Sequence, residues 1–278
     1  MVVTAIWGST FVVVKGALAD ASPLPFLALR FVLAGLLLLA ILGRGRVDRA
    51  SLLPGSILGL FLFAGYLFQT WGLTYTTPSK SAFLTGFSVI LVPVIMMLSG
   101  SRTGPATLAG GALGLCGIYL LVAPSGMAAV NRGDLLTLAG AVSFAVHIVL
   151  VGHFTRRFSF LHLVPVQVLV VGLLSLLGLP FVPGQTLHLT GRLLGAILVT
   201  AVLATGVAFS VQNWAQQYTP AAHTALIFAL EPVFAAICSR LVMGEHLGGR
   251  VLLGSGSILA GMVISEIWAG KPPSPVEG

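Results

Sequence analysis

Charge is what this sequence has least of. Only 8% of its 278 residues are Asp, Glu, Lys or Arg, where a soluble domain is about a quarter charged. A chain so poor in ions cannot present a surface that water solvates, so a soluble globular domain is excluded and a bilayer is the fitting solvent. The net charge of +7 does not point to nucleic acid, because the basic residues are scattered and no basic stripe runs along one face. Cysteine is nearly absent. Cys116 and Cys238 sit in apolar runs, too few for a disulfide framework, and are expected to be small packed side chains. A Gly-rich phosphate loop, an HExxH pair and a CxxC pair are all missing, so no metal or cofactor is expected. No segment has room for the nucleotide domain of an ATP-driven pump.

What is present is apolar: 57% of the residues are hydrophobic. The opening stretch "MVVTAIWGSTFVVVKGALA" is apolar from its second residue. A secretory signal would begin with basic residues and end at a small-residue cleavage site, so this stretch reads as a retained first membrane helix. A spanning helix needs about 20 mostly apolar residues. Segments of that kind lie near 2–19, 26–43, 54–76, 81–100, 104–123, 133–153, 160–182, 191–216, 221–242 and 247–269. Short connections carry the helix breakers between them. The expectation is an all-α membrane protein of ten transmembrane helices in a lipid bilayer, with the Pro-rich tail 270–278 disordered on the cytoplasmic side. Arg44, Arg46, Arg49, Arg102, Arg156 and Arg157 fall in loops on one side. The positive-inside tendency makes that side, and both termini, cytoplasmic. Lys80, Arg132, Arg192 and Arg250 on the opposite side moderate the bias.

The chain repeats itself. "SPLPFLALRFVLAGLLLL" from Ser22 is similar to "SFLHLVPVQVLVVGLLSL" from Ser159, so Ser22 pairs with Ser159, Gly35 with Gly172, and Arg30 with Gln167. Further on, Gln69, Trp71, Tyr75 and Thr76 align with Gln212, Trp214, Tyr218 and Thr219. Two five-helix halves follow, 1–123 and 133–269. Five is odd, so the second half enters the membrane inverted. Inverted repeats let secondary transporters build two alternative open faces around one midplane site. A membrane-embedded enzyme or a signalling and binding protein is the rival reading, but it has little reason to duplicate and invert its pocket.

Charges and polar groups at membrane depth are expensive and read first as functional. Glu231 lies about ten residues into its segment, roughly 15 Å along a helix axis. Its repeat equivalent is Ser88. Ser81, Thr85 and Ser88 are spaced to share one helix face, and Thr224, Phe228 and Glu231 are their counterparts; the two faces together would line a central cavity. Glu231 then has two readings. It carries a proton or meets a substrate amine, or it ties down backbone freed by Pro232, which leaves the Phe228 carbonyl without its partner. Lys80 and His223 are also counterparts. They are either mouth groups for a substrate carboxylate or ordinary interfacial residues. Lys15 and Arg30 are expected to snorkel from helix ends. His147 shares a face with Ser143, with Trp7 and Phe11 as their approximate equivalents in the first half. It is either a packed, hydrogen-bonded histidine or a cavity-lining one. Trp71, Tyr75, Trp214 and Tyr218 belong to the pathway or to an interfacial aromatic belt. Gln69 and Gln212, about a turn deeper, join helices or face the cavity. Ala106, Gly110 and Gly114, with Ser257 and Gly261, have the small-xxx-small spacing of close helix packing. They are read as scaffold, with a homodimer contact as another use.

"WGSTFVVVK" from Trp7, "QTWGLTYTTPSKSAFLTGFSVILVP" from Gln69 and "LEPVFAAICSRLVMGE" from Leu230 to Glu245 resemble the EamA family of the drug/metabolite transporter superfamily. The resemblance covers all but the tail. It implies a bacterial inner-membrane exporter whose substrates are small metabolites, such as amino acids or related amphiphiles. The first half departs from the late motif: Pro93 has no acid before it, and Ser101-Arg102 stands where Gly244-Glu245 would be.

Overall fold

A computed structural model describes residues 2–42, 47–100, 104–122, 130–244 and 248–268. Arg44, Arg46, Arg102, Glu245 and the tail from 269 onward lie outside the described residues. The described chain is helical: α1 Val2–Ala17, α2 Pro23–Ile41, α3 Leu52–Tyr75, α4 Pro78–Thr85, α5 Ser88–Leu98, α6 Pro105–Val122, α7 Arg132–Phe154, α8 Phe160–Gly178, α9 Gly191–Val199, α10 Ala208–Ala215, α11 Ala221–Phe228, α12 Glu231–Met243 and α13 Gly249–Trp268. A π-helical segment, Thr200–Val207, joins α9 to α10. Among the described residues extended pairing is limited to one bridge, Ala21 with Leu187. Six stretches are long and apolar enough to cross a membrane: Pro23–Ile41, Arg49–Tyr75, Pro78–Leu98, Arg132–Phe154, Phe160–Phe181 and Gly191–Ala215. The protein is a multi-pass membrane protein.

Local chemistry sets the helix starts. Pro23 and Pro25 open α2 and Pro78 opens α4, where a missing N–H costs nothing. Asn131 and Asp134 form a reciprocal capping box at the start of α7. Gly244, at φ +67°, ends α12 in the left-handed region that favours glycine.

Two segments read from the sequence as unbroken are interrupted. The helix expected over 81–100 breaks between Thr85 and Ser88, and the one over 221–242 breaks between Phe228 and Glu231. The broken pairs are the same repeat equivalents that place Ser88 opposite Glu231. Pro232 therefore sits in the first turn of α12, where proline is tolerated. It does not kink a helix from within, as the sequence reading had it.

Helix packing relies on small residues, as expected where lipid gives no hydrophobic drive between helices. A methyl on Gly35 would meet Leu169 of α8, and one on Gly172 would meet Val32 of α2. Gly55 and Gly59 bring α3 against Val166 and Val170. Gly117 and Gly261 bring α6 and α13 into backbone contact, at Gly254 and Gly110. The small-residue faces of α6 and α13 thus meet each other within one chain, and a dimer through them would first have to part them. Cys238 is half-buried but Cys116 is exposed, so Cys116 is not the packed side chain expected.

One face of the bundle is stapled. The Asp20 carboxylate accepts both Nε and Nη2 of Arg192 at 2.8 Å and the Thr190 hydroxyl at 2.7 Å. Thr186 and Ser22 exchange backbone and hydroxyl bonds beside it. These bonds tie the α1–α2 connection to the one between α8 and α9. The Arg192 guanidinium pulls the Asp20 carboxyl down to about 2, below its ordinary range.

Candidate functional site

The helix breaks bound a central cavity. Its wall takes Trp7, Thr10, Phe11 and Val14 from α1, Arg30 from α2, and Tyr66, Gln69, Thr70 and Leu73 from α3. Thr85, Gly86 and Ser88 come from the first break, and Phe228 and Glu231 from the second. Phe144, His147 and Ile148 of α7 and Phe209 and Gln212 of α10 complete it. The space open to the centres of water-sized molecules is about 70 Å³, several times the ~10–15 Å³ that one water needs on that measure. In this state the cavity takes a few waters or part of a small solute.

Glu231 is the first residue of α12, at the positive end of a short helix, where an anion is favoured. Its backbone carbonyl lies against Gly8, the residue that lets α1 approach α12 this closely. Trp7, next to Gly8 in α1, lines the same cavity. The indole Nε1 donates to the Ala204 carbonyl at 2.8 Å, and the ring lies 5.3 Å from Phe209 and 5.0 Å from Phe228. Ala204 belongs to the π-helical segment, and π turns often mark functional sites.

Both glutamines stand on the cavity wall. Gln69 Nε2 donates to Thr85 Oγ1 at 2.9 Å, joining α3 to α4. Gln212 Nε2 donates to Gln216 Oε1 at 2.9 Å, and Gln216 Nε2 to the Ile148 carbonyl at 2.9 Å. That chain fixes the Gln212 amide and leaves its Oε1 without a partner among the described residues, buried at the cavity wall. His147 is likewise both packed and cavity-lining. It sits 2.7 Å from Gln167 Oε1, Gln167 Nε2 donates to Asn213 Oδ1 at 3.1 Å, and Asn213 Nδ2 to the Phe209 carbonyl at 2.9 Å. Because Gln167 presents its oxygen, the imidazole carries its hydrogen on Nε2.

Arg30 corrects the sequence reading. It does not snorkel: only 3% of its surface is exposed, and its guanidinium lies 4.7 Å from the Tyr66 ring centre. Nε donates to Thr205 Oγ1 at 3.0 Å, and Nη2 reaches the Tyr66 hydroxyl at 3.4 Å. Lys15 does not reach for headgroups either. Its Nζ donates to the carbonyls of Leu73, Thr74 and Thr76, closing the end of α3.

Several expected residues lie off the cavity wall. Ser81 and Thr224 are buried beside it. Lys80 pairs with Asp134 at 2.6 Å, and Thr76 donates to the same carboxylate at 3.0 Å. His223 is half-buried in the first turn of α11. Tyr75, Trp214 and Tyr218 are exposed at helix ends, and Trp71 is half-buried. The sequence reading missed Tyr66 and Phe209. They stand at the same spacing as Gln69 and Gln212, which is the signal that marks them.

The EamA-like transporter family matches the chain twice, over residues 1–123 and 131–266. A protein of Archaeoglobus fulgidus described as an uncharacterized transporter is 35% identical over 268 residues, covering 95% of this chain and 83% of its own length. The inner membrane transporter YedA of Escherichia coli is 27% identical over 89% of this chain and 81% of its own. A second E. coli protein, named a "probable amino-acid metabolite efflux pump", is 26% identical over 95% and 92%. A solved crystal structure superposes with a TM-score of 0.76 over 96% of both chains at 21% identity, which shows the shared fold. Two family matches that leave little of the sequence uncovered, together with a relative at 35% identity, establish that the chain belongs to the EamA-like transporter family.

Proposed function

We propose that the chain is a secondary transporter that exports small amphiphilic metabolites, such as amino acids, by alternating access. Its ten spans are α1, α2, α3, α4 with α5, and α6, followed by α7, α8, α9 with α10, α11 with α12, and α13. They form two inverted five-helix halves around the central cavity. Both termini and the loops bearing Arg49, Arg156 and Arg157 are cytoplasmic in a bacterial inner membrane. The single observation that carries this reading is the pair of helix breaks. Thr85 with Ser88, and Phe228 with Glu231, are repeat equivalents, and all four side chains line one buried cavity. Broken helices meeting at a midplane site are how inverted-repeat transporters aim helix ends at a solute. The reciprocal packing of Gly35 on Leu169 of α8 and of Gly172 on Val32 of α2 and the double family match support the repeat.

Glu231 is the group that takes a proton or a substrate amine. The alternative, a purely structural acid, draws less support now that Pro232 stands in a first turn and frees no interior carbonyl. The test is uptake and efflux in proteoliposomes across amino acids, nucleosides and organic cations, with and without a pH gradient. Protein-dependent flux of one class is the expected result. Absence of flux for every class, in protein that stays folded, sinks the proposal.

A further inference from the structure

Arg30 is a buried cation that shares its cavity with one acid, Glu231, and is not bonded to it. Among the described residues Asp20 pairs with Arg192 and Asp134 with Lys80, and Arg30 forms no ion pair. Its hydrogen bonds go only to two neutral hydroxyls, on Thr205 and Tyr66. A guanidinium has five N–H donors, so most of them have no protein acceptor. The faces of Tyr66 and Phe31, at 4.7 and 4.9 Å, offset part of the charge. Arg30 lies seven residues past the start of α2, about 10 Å along the axis, so lipid headgroups do not hold it. It does line the cavity.

The repeat shows that packing alone does not require this charge. The equivalent position in the second half is Gln167, fully buried, with its amide bonded to His147 and Asn213. Gln167 is not on the cavity wall, whereas Arg30 is. The same place in the fold thus holds a satisfied neutral amide in one half and a cation without an ion pair in the other, and the cation is the one that lines the cavity.

We propose that Arg30 is the anion-binding pole of the cavity and takes a carboxylate of the transported molecule; this rests on the transport reading above. A guanidinium offers a planar fork that matches a carboxylate in two parallel bonds. The fork also selects. A solute lacking the carboxylate leaves Arg30 uncompensated, whereas one bearing it neutralises the site and fills the open donors. Tyr66 and Thr205 are positioning residues that hold the fork toward the cavity.

The test measures equilibrium binding to the purified full chain, by calorimetry and thermal shift. The probes are leucine, leucinamide, 4-methylpentanoate and 3-methylbutylamine, with the matching phenylalanine series. The wild type is expected to bind the two carboxylates of a series about tenfold or more tighter than the amide and the amine. Arg30→Gln should erase that preference within the same folded sample, and Arg30→Lys should keep part of it. If Arg30→Gln does not fold, competition in the wild type decides: 4-methylpentanoate should displace leucine and leave 3-methylbutylamine unaffected. Equal binding of acid and amide by the wild type overturns the proposal, as does an equal loss of all probes in Arg30→Gln. Arg30-dependent carboxylate binding without flux of any solute would sink the transport reading alone. Flux indifferent to the carboxylate would sink this proposal alone.

Discussion

Arg30 and Glu231 line the same cavity and form no ion pair with each other. Arg30 is held by Tyr66 and Thr205, and Glu231 is the first residue of α12. The expected outcome for Glu231→Gln follows. The variant keeps the size of the side chain and loses only its titration. It should fold as the wild type does and exchange substrate at equal concentrations, yet a pH gradient should no longer drive accumulation. Accumulation by the Gln variant under a pH gradient alone would remove protons from the role of Glu231.

Lys80 is expected to stabilise the fold through Asp134, which is 1% exposed. Lys80→Met should cost about 1–3 kcal/mol, because it leaves a buried carboxylate short of a partner. The double variant Lys80→Met/Asp134→Asn should cost less than the two single costs summed. Additive costs in chemical unfolding would show that the pair is not coupled.

Gly8 touches no solute but sets how close α1 comes to the start of α12. A Cβ there would lie 2.5 Å from the Glu231 carbonyl and 2.6 Å from Phe234 Cβ. Gly8→Ala should therefore destabilise by about 1–3 kcal/mol and lower flux, although its side chain never enters the cavity. Flux and melting temperature equal to the wild type would contradict this packing.

Acid should loosen the stapled face. The Asp20 carboxyl is depressed to about 2, below its unfolded value of about 3.9. Its contribution is therefore fully present above about pH 4 and is lost as pH falls toward 2. Asp20→Asn lacks that contribution at every pH. The difference in melting temperature between wild type and Asp20→Asn should be constant near neutrality and shrink as pH falls from about 4 toward 2. A difference independent of pH would show that the carboxylate charge is not what closes the staple.

Orientation is open to labelling. In a background with Cys116 and Cys238 replaced by alanine, a cysteine at the exposed Arg157 should react only from the cytoplasm, and one at the exposed Thr77 only from outside. Reaction of both from one side would overturn the span count.

The membrane class and the long apolar helices were legible in the sequence because composition carries them directly. Gly35 and Gly172 were paired from sequence alone, and the structure puts each against the other's helix. The broken helices were not legible. Hydropathy runs unchanged through Gly86-Phe87 and Ala229-Leu230, and neither dipeptide holds a proline. Arg30 was misread for a related reason. A cation near a helix end looks the same in sequence whether it turns to headgroups or inward, and only the neighbouring Tyr66 and Thr205, distant in the chain, decide it. Glu231 was identified, but its position as a helix start was hidden by the same unmarked break.

The close backbone contact between α6 and α13 has a consequence for how this protein can vary. Among the described residues neither helix lines the cavity; they hold mainly to each other, glycine against backbone. On the transport reading proposed above, solute recognition belongs to the helices that line the cavity, and this pair is an outrigger standing beside them. Insertions, fusions or altered lipid-facing side chains on the outrigger can accumulate without rewriting specificity, provided Gly117 and Gly261 stay small. On the same reading, changes on α1 or α12, which line the cavity, would alter what the molecule carries.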